Sequence, residues 1–339
     1  MNTQELQELI ANDYINVQKH HEVDLYIYNY TPKAQYEKLW NDWTLACRGL
    51  IMNAHNEIVA RPFKKFFNWE ELSPELIPQE PFEVYEKMDG SLGILYWIND
   101  IPYLATRGSF NSEQAKVGTR LLHTEYASLI PKLDKTKTYL FEIIYPENRI
   151  VVDYGNKNAL ILLAVIDTLT GKDVPLGNIG FETAKHYDGI HELALLKQQE
   201  EHNKEGFVIK FKNGFRLKVK FNEYHRIHQI VTKISNIDIW DAMQQGQDLL
   251  PLLEKVPDEF YDWVKKTQQQ LLFNFEKVEN QARNEFKIFE TRKEAAIYYQ
   301  SCTHPAVLFK MMENKPYQQI IWKMIKPKFE KPFANRIES

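Results

Sequence analysis

Residues 83–98 read EVYEKMDGSLGILYWI and contain a short run, Glu83–Lys87, and a largely apolar run, Leu92–Ile98, separated by Asp89-Gly90-Ser91. The runs predict two strands joined by a tight turn, with Lys87 at the end of the first strand. Taken alone, the segment favours an ordinary hairpin, because Asp-Gly is a common turn sequence and a flanking Lys is common. Glycine also lets a bulky ligand approach the backbone, and a deprotonated lysine held there could act as a covalent nucleophile.

A second hairpin is predicted from Phe207–Phe211 and Phe215–Phe221, which flank the turn sequence Lys212-Asn213-Gly214. Basic and apolar residues alternate along its second strand, and a period of two places the basic ones on a single face. Such a face is typical of a solvated edge strand. It also suits a phosphate site, because like charges side by side are unfavourable unless an anion joins them. The cations concerned are Arg216, Lys218 and Lys220.

Two acidic residues lie beside otherwise apolar strand sequences. Glu205 begins Glu-Gly-Phe-Val-Ile-Lys at 205–210, and Glu142 lies within Leu-Phe-Glu-Ile-Ile at 140–144. A buried carboxylate needs a cation or a metal ion beside it, and two of them next to a phosphate site would suit hydrated magnesium. A helix cap or a salt bridge is the simpler explanation when either residue is taken singly.

The remaining strand and helix signals divide the chain in two. Up to about residue 230 they are mixed: Thr44–Asn53 and Glu57–Lys65 predict a hairpin, and Arg149–Asp153 predicts a strand. Beyond about residue 232, apolar residues at spacings of three and four predict helices punctuated by prolines. We therefore predict an α+β domain at 1–232 and an all-helical domain at 233–339.

The composition excludes several classes of protein. The 339 residues are 44% apolar, which is ample for a core, and the longest apolar run has eight residues against the ~18 of a membrane helix. Cys47 and Cys302 are far apart, so neither a disulfide framework nor a Cys-based zinc site is expected. A soluble, cytoplasmic protein is expected instead. The net charge of −4 predicts no general attraction to nucleic acid.

The order and spacing of these motifs resemble those of the covalent nucleotidyltransferases, the superfamily of polynucleotide ligases and RNA-capping enzymes. Lys-x-Asp-Gly-Ser at 87–91 resembles the nucleophile motif, and Glu-Gly-Phe-Val at 205–208 and Leu-Lys-Val-Lys at 217–220 resemble two later motifs. The finer resemblance is to the RNA ligase 1 family, the phage-type ATP-dependent ligases that repair broken tRNA. Its further marks, within about residues 25–225, are Cys47–Gly49, Arg61–Asn68, Thr106–Ser109 and Phe141–Val152.

The resemblance implies an ATP-grasp-like nucleotidyltransferase domain with antiparallel sheets, and it assigns roles to residues. Lys87 would carry AMP, with Lys218 and Lys220 completing the catalytic set, and Glu205 with Glu142 would hold Mg²⁺ or Mn²⁺. Arg107 stands where the family usually has Lys, a substitution that keeps the charge. Strand parity sets Glu205 opposite Val208, so both reach one ligand only if Glu205 lies at an irregular strand start. The implied ATP-binding set is Arg48, Lys65, Phe67, Arg107, Glu142, Tyr154, Val208, Lys218 and Lys220.

The resemblance also implies partners. The substrate would be RNA with 5′-phosphate and 3′-hydroxyl ends, nicked tRNA in particular, and an end-healing kinase-phosphatase would prepare such ends. A monomer acting in the cytoplasm, the host cytoplasm for a phage-encoded protein, is expected. The helical domain would select the RNA through a run of cations from Lys310 to Arg336 interleaved with Tyr317, Trp322 and Phe329. Helix packing by these aromatic residues, with solvated lysines, is the alternative.

Two alternatives to an RNA ligase remain at this stage. A DNA ligase or a capping enzyme would share the central motifs but usually appends an OB-fold, whose strand pattern is not found after residue 232. A non-catalytic RNA-binding protein would not need Lys87 together with Glu142 and Glu205.

Overall fold

The computed structural model describes residues 3–190, 192–196, 201–222, 234–250 and 261–329. The chain divides into two compact units, Met1–Val231 and Thr232–Ser339. The strands are β1 (Ile15–Lys19), β2 (Leu25–Tyr30), β3 (Arg48–Asn53), β4 (Ile58–Ala60), β5 (Phe67–Asn68), β6 (Phe82–Lys87), β7 (Ser91–Ile98), β8 (Ile101–Ala105), β9 (Lys137–Ile144), β10 (Ala159–Asp167), β11 (Asp173–Val174), β12 (His186–Tyr187), β13 (Gly206–Phe211) and β14 (Arg216–Lys220). The α-helices are α1 (Thr3–Ala11), α2 (Pro32–Glu37), α3 (Asp42–Ala46), α4 (Glu113–Thr124), α5 (Leu193–Leu196), α6 (Asn236–Gln244), α7 (Tyr261–Glu285), α8 (Arg292–Gln300), α9 (Pro305–Met312) and α10 (Gln318–Met324).

The strands of the first unit form three sheets. The first has the order β1-β2-β3-β4, the second β11-β10-β9-β7-β8 and the third β12-β6-β13-β14-β5. Neighbouring strands are antiparallel except β14 and β5, which are parallel. Half-buried and buried side chains alternate along β14, as the period of two requires for a strand with one buried face. The first unit is therefore an α+β structure built on antiparallel sheets.

Two cores position these sheets. Ile27 and Ile51 of the first sheet share a buried cluster with Ile94 and Leu140 of the second, so the two sheets pack face to face. The third sheet buries one face in a separate cluster that includes Val84, Phe207, Ile209, Leu217 and Val219. Its other face, which carries Lys87, Lys218 and Lys220, is left for polar contacts.

The segment Asp89-Gly90-Ser91 does not close a hairpin, so that prediction is wrong. β6 pairs with β12 and β13 in the third sheet, whereas β7 pairs with β8 and β9 in the second. The short segment therefore carries the chain from one sheet to the other. The hairpin that does form here is β7–β8, which turns at Asn99 with a φ of 54°.

Two other local predictions fail for identifiable reasons. Residues 44–46 are helical rather than extended, because the Asn41 and Thr44 side chains form a capping box that starts α3. Residues 149–153 form no strand, because the N–H groups of Val151 and Val152 both donate to the carboxylate of Asp89 instead of a neighbouring strand. The hairpin of β13 and β14 is confirmed.

In the described residues of the second unit, every regular element is a helix. The helices α7 to α10 bury a common core that includes Ala282, Tyr299, Val307, Leu308 and Ile321. None of the helices in the described ranges combines the length and the apolar character that a membrane crossing requires.

Gly206→Ala should destabilise the first unit far more than Gly189→Ala. Both glycines have a positive φ, 148° and 77°, so both substitutions introduce backbone strain of about 1–3 kcal/mol. A Cβ at residue 206 would also lie 2.0 Å from the carbonyl oxygen of Val219, whereas a Cβ at residue 189 would meet nothing within 4 Å. Thermal unfolding measures the difference, and equal melting temperatures for the two variants would contradict the close approach of β13 and β14.

Candidate active site

One carboxylate lies between two lysines where three strands of the third sheet meet. Lys87 ends β6, Lys220 ends β14, and both are in register with Gly206 at the start of β13. The Glu205 carboxylate lies 2.6 Å from Lys87 Nζ through Oε2 and 3.0 Å from Lys220 Nζ through Oε1. Only 3% of the Glu205 side chain is exposed, against 21% for Lys87 and 8% for Lys220. The strand ends thus bring together three residues that come from separate motifs of the sequence.

The irregular start of β13 places Glu205 on this face. Regular alternation would put Glu205 on the opposite face from Lys87 and Lys220, since Gly206 is the residue in register with both. Gly206 has a φ of 148°, which the chain can adopt readily only at glycine, and the backbone carbonyl of Glu205 accepts from the N–H of Phe221. Val208 lies in register with Lys218 on the face of Lys87, so Glu205 and Val208 share that face despite their spacing.

The segment after Lys87 is held by hydrogen bonds on both sides. Asp89 is buried; its Oδ2 accepts from the N–H groups of Val151 and Val152 at 2.8 Å each, and its own N–H donates to the Tyr154 hydroxyl at 2.9 Å. Gly90 N–H donates to Oε1 of Glu142 at 2.9 Å. These contacts fix the direction in which the chain leaves Lys87, and sequence reasoning had treated Asp89 only as a turn residue.

Glu142 and Glu205 differ in their affinity for a proton. Burial raises the pKa of Glu142 from 4.5 to about 7; Lys87 opposes the shift, and the negative charge of Glu205 adds to it. Burial acts on Glu205 in the same sense, but Lys87 and Lys220 outweigh it and hold the pKa of Glu205 below its ordinary value. At neutral pH the site therefore contains one firmly ionised carboxylate and one that is close to its titration point.

The described residues contain no group of three or more His, Cys, Asp and Glu side chains placed to hold a metal ion. Two carboxylates of the site, Glu205 and Glu142, remain as oxygen donors. Mg²⁺ characteristically binds through one or two carboxylates and keeps several waters and substrate phosphates as its other ligands. The donor set fits a divalent cation of that kind, and it does not fit a metal ion enclosed by protein ligands alone.

Two other cations of the predicted ATP-binding set rest on aromatic rings. Lys65 is only 5% exposed, and its Nζ lies 5.6, 5.5 and 5.2 Å from the ring centres of Tyr30, Trp40 and Phe67. The Arg107 guanidinium lies 5.5 Å from the same Tyr30 ring. Contacts of this kind stabilise a cation by roughly 0.5–2 kcal/mol each, and they restrict its position without neutralising its charge.

A close backbone approach brings Arg48 and Arg107 into one region. Gly49 has a φ of 101°, and a Cβ at this position would lie within 3.2 Å of the Arg107 backbone. The two motifs that contain these arginines are therefore adjacent in space, and the Arg48 guanidinium lies 5.9 Å from the ring of Phe66. Tyr30 and Trp40 were not predicted as contacts of Lys65, because they lie 35 and 25 residues before it and no spacing links them to it.

Not every predicted cation faces the Lys87 region. Arg216 forms an ion pair with Asp173 and lies 4.8 Å from the ring of Phe63. Arg216 and Lys220, which both belong to the β14 face, are thus paired with carboxylates of the chain itself. The anion that the like charges of this face require is at least partly supplied by the protein.

The predicted RNA-binding run of the helical unit is only partly available to a ligand. Trp322 is 9% exposed and packs against Phe275 at 5.1 Å, and the Tyr317 hydroxyl donates to Glu279 at 2.7 Å. Phe329 is 67% exposed. Lys331 and Arg336 lie outside the described residues. The packing role therefore holds for Trp322 and Tyr317.

The model of a family described as RNA ligase matches residues 46–224, which is more than half of the chain and includes all the site residues above from Arg48 to Lys220. The chain belongs to the RNA ligase family. The predicted resemblance to an RNA ligase family is confirmed, and so is the predicted fold class, antiparallel sheets followed by helices in the described residues.

Individual relatives agree with the family. A protein named as a bifunctional polynucleotide kinase/RNA ligase, from Autographa californica nuclear polyhedrosis virus, is 29% identical over 66% of this chain and 36% of its own. A protein named as an RNA ligase, from Thermovibrio ammonificans, is 29% identical over 68% of this chain and 65% of its own. The matched part thus spans less than two thirds of either relative. A mutant of Naegleria gruberi RNA ligase, solved with ATP and Mn, is 17% identical over 44% of this chain and 52% of its own, with a TM-score of 0.37.

The pKa of Glu142 predicts a pH-dependent difference in stability between this chain and its Glu142→Gln variant. The folded chain keeps the proton of Glu142 up to about pH 7, whereas the unfolded chain releases it near pH 4.5. The contribution of this group to stability is therefore complete below about pH 4.5 and is lost as the pH rises to about 7. The amide of the variant can still accept from Gly90 N–H and does not titrate. Between pH 4 and pH 8, the free energy of unfolding of the variant should rise by on the order of 3 kcal/mol relative to that of wild type. Urea unfolding measures both free energies. A difference between the two proteins that stays constant across this range would contradict the raised pKa.

Proposed function

We propose that this chain is an ATP-dependent RNA ligase that joins a 3′-hydroxyl end to a 5′-phosphate end through a lysyl-AMP intermediate on Lys87. The observation that carries the proposal is the contact of Lys87 Nζ with the buried Glu205, beside Lys220, in a chain of the RNA ligase family. A lysine held at a strand end next to a cationic face has the position that attack on a phosphate requires.

In the first step, Lys87 Nζ would attack the α-phosphorus of ATP. A P–N bond forms, the bond from the α-phosphorus to the bridging oxygen breaks, and pyrophosphate leaves. An ammonium group has no lone pair, so Lys87 must give up a proton to solvent before it attacks. The 2.6 Å contact with Glu205 fixes the position of Nζ. Attack would require Nζ to leave this carboxylate, and a divalent cation bound to Glu205 would favour that step.

Glu205 and Glu142 are the residues that would hold a divalent cation. When bound, Mg²⁺ or Mn²⁺ would supply positive charge to the triphosphate and to the leaving pyrophosphate. Glu142 keeps its contact with Gly90 N–H and so connects the cation to the segment that follows Lys87. A mutant of the Naegleria gruberi RNA ligase has been solved with ATP and Mn. We propose ATP and a divalent cation for the present chain as well.

The next two steps use the same residues. In the second step an oxygen of the RNA 5′-phosphate attacks the α-phosphorus of lysyl-AMP, the P–N bond breaks, and Lys87 leaves as an amine that takes up a proton. In the third, the RNA 3′-hydroxyl attacks the phosphorus of the activated 5′ end, releases AMP and loses its proton. In every step charge develops on phosphoryl oxygens, so Lys218 and Lys220 would stabilise all three transition states.

The remaining residues of the ATP-binding set would orient the nucleotide. Lys65 and Arg107 would bind the departing phosphates, with the ring of Tyr30 beneath both cations, and Arg48 and Glu142 would contact the ribose and phosphate. Val208 would lie on one side of the adenine, in register with Lys218. Tyr154 would lie on the other side of the adenine while its hydroxyl accepts from Asp89 N–H. Phe67 would act through Lys65, whose Nζ lies 5.2 Å from the centre of its ring.

We propose tRNA repair as the role of this activity. The resemblance of the motifs to phage-type tRNA-repair ligases supports it, and the kinase named in one relative supports an end-healing kinase-phosphatase as a partner. The helical unit would select the RNA. We propose that the enzyme acts as a monomer in the cytoplasm, that of the host for a phage-encoded enzyme.

The alternative functions find less support. A DNA ligase or a capping enzyme would usually carry an OB-fold, and the described elements of the second unit are helices. A non-catalytic RNA-binding protein would have no use for a lysine paired with a carboxylate that is 3% exposed, because burying such a pair is costly unless it serves a purpose.

Lys87→Ala and Lys87→Arg should both abolish covalent labelling by radioactive ATP on a denaturing gel, since a guanidinium stays protonated. Lys137→Arg is the matched control, because Lys137 also lies 2.6 Å from a carboxylate, that of Asp167, with 24% of its side chain exposed. It should label like wild type. Mass spectrometry that located AMP on a lysine other than Lys87 would overturn the assignment.

Glu205→Gln should raise the concentration of Mg²⁺ or Mn²⁺ needed for half-maximal labelling by at least about tenfold, because it removes the firmly ionised ligand. The control is Glu86→Gln, since Glu86 directly precedes Lys87, is 16% exposed and lies 3.6 Å from Lys204 instead. Glu205→Gln is preferred to alanine because it leaves an oxygen near Lys87 and Lys220. Labelling by wild type in EDTA, or an unchanged cation requirement in Glu205→Gln, would refute the metal role.

A further inference from the structure

The helical unit contains a cavity of about 480 Å³ that is lined by residues of this unit alone. It lies between the segment that joins α7 to α8 and the end of α9. Aromatic and thioether side chains line it, namely Phe286, Phe289, Tyr299, Met311 and Met312. This volume is within the range of pockets that hold small organic groups, and such pockets combine an apolar lining with a few polar groups.

The mouth of the cavity carries an apolar side chain and two charged ones. Ile288 is 90% exposed, although it lies between Phe286 and Phe289. Arg292 is 77% exposed and lies 3.1 Å from Glu313, so a planar donor group and an acceptor lie side by side. Ile288 buries almost none of its side chain against the protein, which leaves it available to a ligand that enters the cavity.

The charge around the cavity favours an anionic partner. Residues 261–329 contain 12 Lys and Arg against 7 Asp and Glu, a net charge of +5, in a chain whose total is −4. Glu313 is approached by Lys315 at 3.0 Å and Lys310 at 4.0 Å as well as by Arg292. The acid at the mouth is therefore outnumbered three to one by the cations that approach it.

We propose that this cavity holds an unpaired nucleobase of the RNA substrate, with the neighbouring phosphates on the surrounding cations. Unstacked bases of single-stranded RNA bind on aromatic rings and guanidinium planes and present donors and acceptors at their edges. Flexible methionines adapt to a planar group. The inference rests on the proposed function, since it takes RNA as the substrate, and it goes further by naming the part of the RNA that is recognised.

The test uses the full chain and RNA hairpins that carry one abasic position, moved through the loop in turn. Wild type should bind the intact loop about tenfold more tightly than a loop that is abasic at the recognised position. Ile288→Ser and Arg292→Ala should weaken binding of the intact loop by a similar factor and show no further loss with the abasic loop. Both side chains are exposed, so neither change should affect the melting temperature.

Two matched controls belong to the same helical unit. Ile297 is 66% exposed and the Arg283 side chain 58% exposed, and neither lines the cavity. Ile297→Ser and Arg283→Ala should keep the tenfold preference. Equal binding of intact and abasic loops by wild type would overturn the proposal. So would an undiminished tenfold preference for the intact loop in Ile288→Ser and Arg292→Ala. Either result would leave the cavity to a protein partner.

Labelling of Lys87 by ATP alone separates this inference from the ligase proposal. If labelling occurs and the abasic effect does not, only the nucleobase pocket is wrong. If the abasic effect and its dependence on Ile288 occur without labelling, the pocket stands and the ligase assignment fails.

Discussion

A carboxylate that is almost fully buried must be compensated by positive charge, and in this protein that requirement is met by two lysines from two different strands. Removal of either lysine would leave Glu205 buried with half of its compensation, which is among the most costly changes that a fold can undergo. The ends of β6, β13 and β14 are therefore tied electrostatically as well as by their hydrogen bonds. The same contact holds the nucleophile of the proposed reaction, so the stability of the third sheet and the chemistry share one group.

The sequence was sufficient for those parts of the fold that depend on neighbouring residues. The hairpin of β13 and β14 follows from alternation and an Asn-Gly turn, and the helices beyond residue 232 follow from their periodicity. The failures arise where tertiary contacts override local preference. Asp-Gly at 89–90 has the composition of a hairpin turn, but it joins two sheets because β6 and β7 pair with strands far along the chain. Residues 149–153 have strand propensity, but Asp89 takes up two of their N–H groups.

For the site, motif and spacing identified the residues, and geometry supplied their relationships. Parity alone placed Glu205 and Val208 on opposite faces, and only the positive φ of Gly206 brings them to the same one. No pattern indicated that Lys87 is paired with Glu205, since ion pairs between distant residues leave no local trace. Likewise Tyr30 and Trp40, two of the three rings around Lys65, come from other stretches of the chain. A ring stabilises a buried cation and, unlike a carboxylate, does not cancel its charge.

The passage of the chain from the third sheet to the second at residues 88–90 has a mechanical consequence. Four extended residues span at most about 14 Å, so the Cα atoms of Lys87 and Ser91 can never separate further than that. Leu92, next along β7, is in register with Glu142 on β9. Any opening of the space between the two sheets therefore leaves the two sheets close together at this connection. Motion of the sheets away from this connection would change the space for a nucleotide. The distance between Lys87 and Glu142 would stay limited by the short connection.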